Sequence, residues 1–178
     1  MAEPRVAGEM KLLRLMRHLL SPLWLSSRRV RQAFSPVALA CIEQVIARAE
    51  AGHRGQIRFA VEPALELGPL LRGRSAREQA LEVFSELAVW DTEHNNGVLI
   101  YLLLADHDVE IIADRGINAK LDAAAWESIC REMESAFRRG LFEQGICSAI
   151  ERVASLLAVH YPGTNNATNE LPDRPVIV

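Results

Sequence analysis

The run Gly97-Val98-Leu99-Ile100-Tyr101-Leu102-Leu103-Leu104 carries no charged side chain, and it limits the fold more than any other stretch. It is too short to cross a bilayer and is flanked by polar residues, so it reads as a central strand covered on both faces. A strand apolar on both sides needs other elements packed above and below its sheet. Ala105-Asp106-His107-Asp108 reads as a tight turn, and Val109-Glu110-Ile111-Ile112-Ala113 returns as the antiparallel hairpin partner.

The flanking segments supply the layers. Ser35-Pro36 offers an N-cap followed by the one residue that fits a helix start without an N–H. Leu39, Ile42, Val45, Ile46 and Ala49 then form a helical stripe ending at Gly52. Residues 56–62, Gln-Ile-Arg-Phe-Ala-Val-Glu, alternate apolar and other side chains as a strand does. Pro63 and Gly68-Pro69 break the chain, which makes 63–73 a loop. Ser75 with Glu78 is a capping box opening the next helix. Asp122 caps a helix whose stripe is Trp126, Ile129, Cys130, Met133 and Phe137, stopped by Gly140. A last helix runs from about Glu143 to His160, and Pro162 closes it.

This order predicts an α/β domain, a three-layer αβα sandwich on a small mixed β-sheet. Its first two strands are parallel and the third is antiparallel. The domain spans 35–162. Residues 1–34 form a basic N-terminal arm, and 163–178, rich in Asn, Thr and Pro, form a disordered tail.

Aromatic residues are only 6% of the chain, so Leu, Ile, Val and Ala must build the core. Cys41, Cys130 and Cys147 have neither paired nor metal-ligand spacing and read as reduced core thiols. No run is long and apolar enough to span a membrane, and no secretory signal is recognisable. The expected location is cytoplasmic, peripheral at the inner membrane if the arm engages it.

The charge is unevenly spread. Arg5, Lys11, Arg14, Arg17, Arg28, Arg29 and Arg31 precede the first capped helix against only Glu3 and Glu9, while the whole chain is −3. A basic arm on an acidic body points to an anionic partner. Met10, Leu13, Met16 and Leu20 recur at helical spacing in the arm, as in a helix lying on an anionic membrane surface. A protein partner is the other candidate. A specific nucleic-acid interface is not expected, because the arm has little aromatic interleaving and the body repels phosphate.

Two polar clusters lie at opposite ends of the sheet. At one end, the segment Asp91-Thr92-Glu93-His94-Asn95-Asn96 enters the central strand, and the hairpin brings Asp114-Arg115 beside it. Carboxylates and amide oxygens from adjacent loops suit a hard cation, Ca²⁺ or Mg²⁺. Asp91, Glu93, Asn95, Asn96 and Asp114 are the candidate ligands. The same residues also read as turn caps, with Asn96-Gly97 supplying a positive-φ bend. At the other end lie Glu62, Asp106, His107 and Asp108, on the side where open α/β sheets bind ligands, although these also read as an ordinary hairpin turn. No Gly-rich phosphate loop and no nucleophile–base pair is recognisable.

Three stretches carry a resemblance. They are Val89-Trp90-Asp91-Thr92-Glu93-His94-Asn95-Asn96-Gly97-Val98-Leu99-Ile100-Tyr101, Val109-Glu110-Ile111-Ile112-Ala113-Asp114-Arg115-Gly116-Ile117, and Phe137-Arg138-Arg139-Gly140. Over about residues 36–162 the chain resembles the TPM domain, named for a thylakoid-lumen protein, a photosystem II repair protein and a nematode receptor modulator. The resemblance implies an αβα sandwich, divalent-ion binding in some members and an acid-phosphatase assignment in a plant member. Other members are tied to assembly or upkeep of membrane-protein complexes. The chain departs from many relatives in having Asp114-Arg115-Gly116 at a Gly-x-Gly turn, and in showing no signal peptide, membrane segment or Gly-rich tail. Together these readings favour a non-catalytic accessory or interaction domain that binds a divalent cation. The alternative is a metal-assisted phosphatase using a metal-activated water.

Overall fold

The computed structural model describes residues 13–18, 23–163 and 169–178. A short helix at 13–18 comes first, followed by α1 (Leu23–Ala33), α2 (Pro36–Glu50) and β1 (Gln56–Glu62). Then come α3 (Leu67–Leu71), α4 (Ala76–Glu86), β2 (Gly97–Leu103) and β3 (Asp108–Ala113). The chain finishes with α5 (Arg115–Asn118), α6 (Ala123–Arg138), α7 (Phe142–His160) and β4 (Val176–Ile177).

Local chemistry sets the helix starts. Ser35 accepts the amide hydrogen of Ala38 at 3.0 Å with Pro36 in the first helical position. Ser75 and Glu78 close a reciprocal capping box on α4, and Asp122 accepts the Ala124 N–H at the start of α6. Each such cap satisfies backbone donors that a helix start leaves open.

The sheet order is β3-β2-β1-β4. β1 and β2 run parallel from Gln56 opposite Gly97 to Glu62 opposite Leu103. β3 returns antiparallel, Val98 facing Ala113 and Leu103 facing Asp108. All seven residues of β2 are buried, as its unbroken apolar run requires. Val98, Ile100 and Leu102 pack under α2, α6 and α7, while Leu99, Tyr101 and Leu103 pack under α4 and the segment around Val89. Each fully buried aliphatic side chain contributes about 1.5–3 kcal/mol. The three-layer αβα sandwich on a mixed sheet is therefore the fold.

The structure corrects the chain's ends. Val30 of α1 and Phe34, just after its end, are core residues, Phe34 meeting Phe59 and Phe142 edge-on at 5.6 and 5.9 Å. The core thus begins inside the segment read as an arm. Within 13–18, Leu13 and Met16 are exposed while His18 is buried; Met10 and Leu20 of the expected interfacial stripe lie outside the described residues.

The tail read as disordered is ordered from 169 onward. β4 adds a fourth strand parallel to β1, pairing Ala60 with Val176 and Val61 with Ile177, and Leu171 is buried. Polar groups of β1 hold it there: Gln56 Oε1 accepts the N–H groups of Glu170 and Leu171 at 3.1 and 2.9 Å. The Arg58 guanidinium donates to the carbonyls of Pro172 and Arg174. Gln56, Arg58 and Glu62 are all buried because partners cover them. Two smaller corrections follow. The 63–73 loop contains α3, and the hairpin turn comprises 104–107 rather than 105–108.

Candidate functional site

The loop 91–96 and the exit of β3 come together as the hairpin dictates. The Asp114 N–H donates to the Gly97 carbonyl at 2.9 Å. Buried Thr92 shapes the loop: its Oγ1 accepts the Asn96 N–H at 3.1 Å and its carbonyl accepts the Asn95 N–H at 3.2 Å. The positive φ falls on Asn95, at 51°, a residue type that tolerates the left-handed region, and not on the expected Asn96-Gly97. Gly97 is an ordinary strand residue instead. A Cβ there would sit 2.0 Å from the Val89 carbonyl oxygen.

Asp114 caps α5 by accepting the Arg115 N–H at 2.6 Å. This seats Gly116 against the loop, where a Cβ would meet the Asn95 carbonyl oxygen at 2.5 Å, that of His94 at 2.8 Å and the Tyr161 hydroxyl at 3.0 Å. Three oxygens therefore crowd one small cradle. Burial, then the negative charge of Asp114, raises the pKa of Tyr161.

Among the described residues, two buried side-chain oxygens at this end, Asn96 Oδ1 and Asp114 Oδ2, have no hydrogen-bond partner. Asn96 is fully buried, and its amide nitrogen donates to the Arg54 carbonyl at 2.9 Å. That donation fixes which end of the amide is oxygen. Unpaired buried oxygens are rare and costly, more so on a carboxylate.

The other three expected ligands are placed differently. Asp91 and Glu93 are exposed, and the Glu93 N–H is taken by the Glu170 carboxylate at 2.8 Å. Asn95 Oδ1 already accepts from Arg115 Nε at 3.0 Å, so a guanidinium stands where a cation would. Among the described residues no three His, Cys, Asp or Glu side chains come together to hold a metal ion. Of the five candidate ligands, Asp91, Glu93 and Asp114 are thus not gathered into one group of carboxylates. Tyr161, Arg54 and Glu170 were missed, since each arrives from a distant segment with no local signal. Gly116 was visible within Asp114-Arg115-Gly116-Ile117.

The opposite end is closed by the 13–18 helix. Asp106 meets Arg14 at 2.8 Å, Arg17 at 3.2 Å and the His18 ring at 3.2 Å. Burial of Asp106 raises its pKa, but His18 and Arg14 outweigh that and hold it below the usual carboxylate value. His18 Nδ1 accepts the Leu65 N–H at 2.9 Å, leaving Nε2 toward Asp106. Tyr101 donates to Glu62 at 2.7 Å, and burial raises the pKa of Glu62. Burial likewise raises Asp108, helped by Glu110 and Glu134. His107 turns outward with φ 54° and lies edge-on to Phe142 at 5.8 Å. Asp106, read from the sequence as part of an ordinary hairpin turn, is thus covered by Arg14, Arg17 and His18 of the 13–18 helix, whereas His107 is exposed.

The TPM domain family model matches residues 29–156. The chain belongs to the TPM domain family. The match starts within α1, in keeping with the core positions of Val30 and Phe34 in this TPM domain. Its fold is similar to the NMR structure of the BA42 protein from the psychrophilic bacterium Bizionia argentinensis. The TM-score is 0.72 and the identity 28%, covering 82% of this chain and 95% of that one. No curated protein matches the chain. Among the described residues no helix is long and apolar enough to cross a membrane.

Proposed function

We propose that this TPM domain is a non-catalytic accessory or interaction module whose ligand is a divalent cation, Ca²⁺ or Mg²⁺, taken at Asn96 and Asp114. The supporting observation is the pair of buried, unpartnered oxygens, Asn96 Oδ1 and Asp114 Oδ2. A hard cation takes oxygens of these types, and the carbonyls of His94 and Asn95 at the Gly116 cradle are further donors of the right kind. Binding would offset the cost of leaving a buried carboxylate oxygen without a partner.

Upkeep of a membrane-protein complex is the wider role this reading favours. Leu13 and Met16 remain exposed beside Arg17 on the 13–18 helix, a pattern suited to an anionic membrane surface or a protein partner. The deciding experiment is thermal melting in a Ca²⁺ or Mg²⁺ titration, with turnover of p-nitrophenyl phosphate followed on the same samples. A melting temperature that rises in the parent and not in Asp114→Asn, without phosphate release, upholds the accessory reading. Ion-dependent hydrolysis lost in Asp114→Asn would replace it with the metal-assisted phosphatase.

A further inference from the structure

At the end of the sheet away from Asn96 and Asp114, a pocket of about 680 Å³ opens between α1, the 104–107 turn and the junction of α6 with α7. Its floor is apolar. Leu104 and Phe137 are buried there, Phe142 is half-buried, and the Phe137 and Phe142 rings stack at 5.0 Å. Its rim is basic, carrying Arg17, Arg29 and Arg138 from three different helices.

The arginines engage few partners and keep donors to spare. Arg29 uses one N–H on the Arg17 carbonyl at 3.3 Å. Arg17 lies 3.2 Å from Asp106, which Arg14 also engages, and Arg138 lies 3.8 Å from Glu134. A guanidinium has five N–H donors, so each retains several for an added anion. Arg28 and Arg31 on α1 add to the local positive field. The chain as a whole is acidic, so this concentration of arginine is local.

We propose that this pocket binds an anionic amphiphile, a phosphate or carboxylate head joined to an apolar group. The head pairs with Arg17, Arg29 and Arg138, and the apolar part lies over Leu104, Phe137 and Phe142. A bare inorganic anion would leave the aromatic floor wet, and a neutral apolar molecule would leave the guanidiniums unpaired. Only the combined ligand uses both surfaces. The Phe137-Arg138-Arg139-Gly140 motif is the sequence counterpart. Gly140, at φ 76°, follows the end of α6, and Arg138 and Phe142 on either side of it line the same pocket.

The test titrates the full chain with monomeric decyl phosphate, inorganic phosphate and decyl maltoside, read by calorimetry and amide NMR shifts. Decyl phosphate should bind saturably and shift residues 104–107 and 137–142, at least tenfold more tightly than either control. Arg29→Ala with Arg138→Ala should weaken binding by roughly tenfold or more, the worth of charge-assisted hydrogen bonds. Arg131→Ala removes one such charge from an exposed site on α6 and should change nothing. Unaltered melting temperatures verify that the variants fold.

Vesicles containing phosphatidylglycerol separate the sources of such a ligand. Pelleting lost in the double variant assigns a lipid headgroup; saturable decyl phosphate binding without pelleting assigns a soluble amphiphile. The proposal is overturned if decyl maltoside binds as tightly. It is also overturned if Arg131→Ala weakens binding as much as the double variant, or if vesicles pellet the chain while decyl phosphate never binds.

Discussion

Glu50 Oε1 accepts the amide hydrogen of Ile57 at 2.6 Å, so a buried carboxyl fastens the last turn of α2 to β1. Burial, reinforced by the nearby Asp173 carboxylate, pushes the Glu50 pKa from 4.5 up to about 8, against the opposing pull of the Ile57 N–H and Arg58. The fold therefore favours the protonated acid.

A carboxyl with a raised folded-state pKa contributes stability that is complete below 4.5 and is lost as pH climbs toward about 8. Glu50→Gln keeps an oxygen for Ile57 and removes the titration. The parent should lose stability between pH 5 and 9, on the order of a few kcal/mol, while Glu50→Gln stays flatter and is the more stable of the two at pH 9. Urea unfolding at a series of pH values measures this, and two parallel curves would refute it.

Phe34 sits on the boundary between basic segment and body, yet it is fully buried between Phe59 and Phe142. Phe34→Ala should cost about 3–5 kcal/mol, whereas Arg31→Ala, exposed three residues earlier on α1, should cost almost nothing. A chain begun at Ser35 should melt far below the parent. An unchanged melting temperature in that truncation would mean that α1 packs only loosely.

The residues 169–178 cover polar groups that β1 could not otherwise bury. Ending the chain after Gly163 strips Gln56 and Arg58 of their carbonyl and N–H partners. It also opens the β1 edge to other strands. The truncated chain should be several kcal/mol less stable, at about 1–3 kcal/mol for each buried polar group left unpaired. It should also self-associate on size-exclusion chromatography with light scattering. Gln56→Ala alone should reproduce about one such increment.

What the sequence disclosed was the part written in local chemistry. The Ser75–Glu78 box, the Ser35-Pro36 start and the unbroken apolar run of β2 each fix an element through neighbours a few residues away. β4 escaped because two residues, Val176 and Ile177, carry no periodicity. Their order depends on Gln56 and Arg58 more than a hundred positions earlier. α3 escaped because Pro69 was read as a breaker, although a proline in the first turn removes no helical hydrogen bond. At the candidate site, the meeting of Gly97 and Asp114 followed from the hairpin. What did not follow was that Arg115 would occupy Asn95 Oδ1, or that Tyr161 would arrive from the end of α7.

The cation site makes separable demands on Asp114 and Gly116. Asp114→Asn keeps an N-cap for α5, since asparagine caps as well as aspartate does, but removes the charge an ion would neutralise. Its melting temperature without ions should stay near the parent's, and its response to millimolar Ca²⁺ or Mg²⁺ should vanish. The parent should gain roughly 2.7 kcal/mol at a hundredfold excess over the dissociation constant. Gly116→Ala drives a Cβ against the His94 and Asn95 carbonyls at 2.8 and 2.5 Å, so the loop must part from α5. That variant should lose both stability and ion response. Asp91→Asn and Glu93→Gln, altered at exposed side chains, should respond like the parent. A response that survives Asp114→Asn but disappears in Asp91→Asn or Glu93→Gln would move the site to the loop surface, and no response in the parent would end the cation reading.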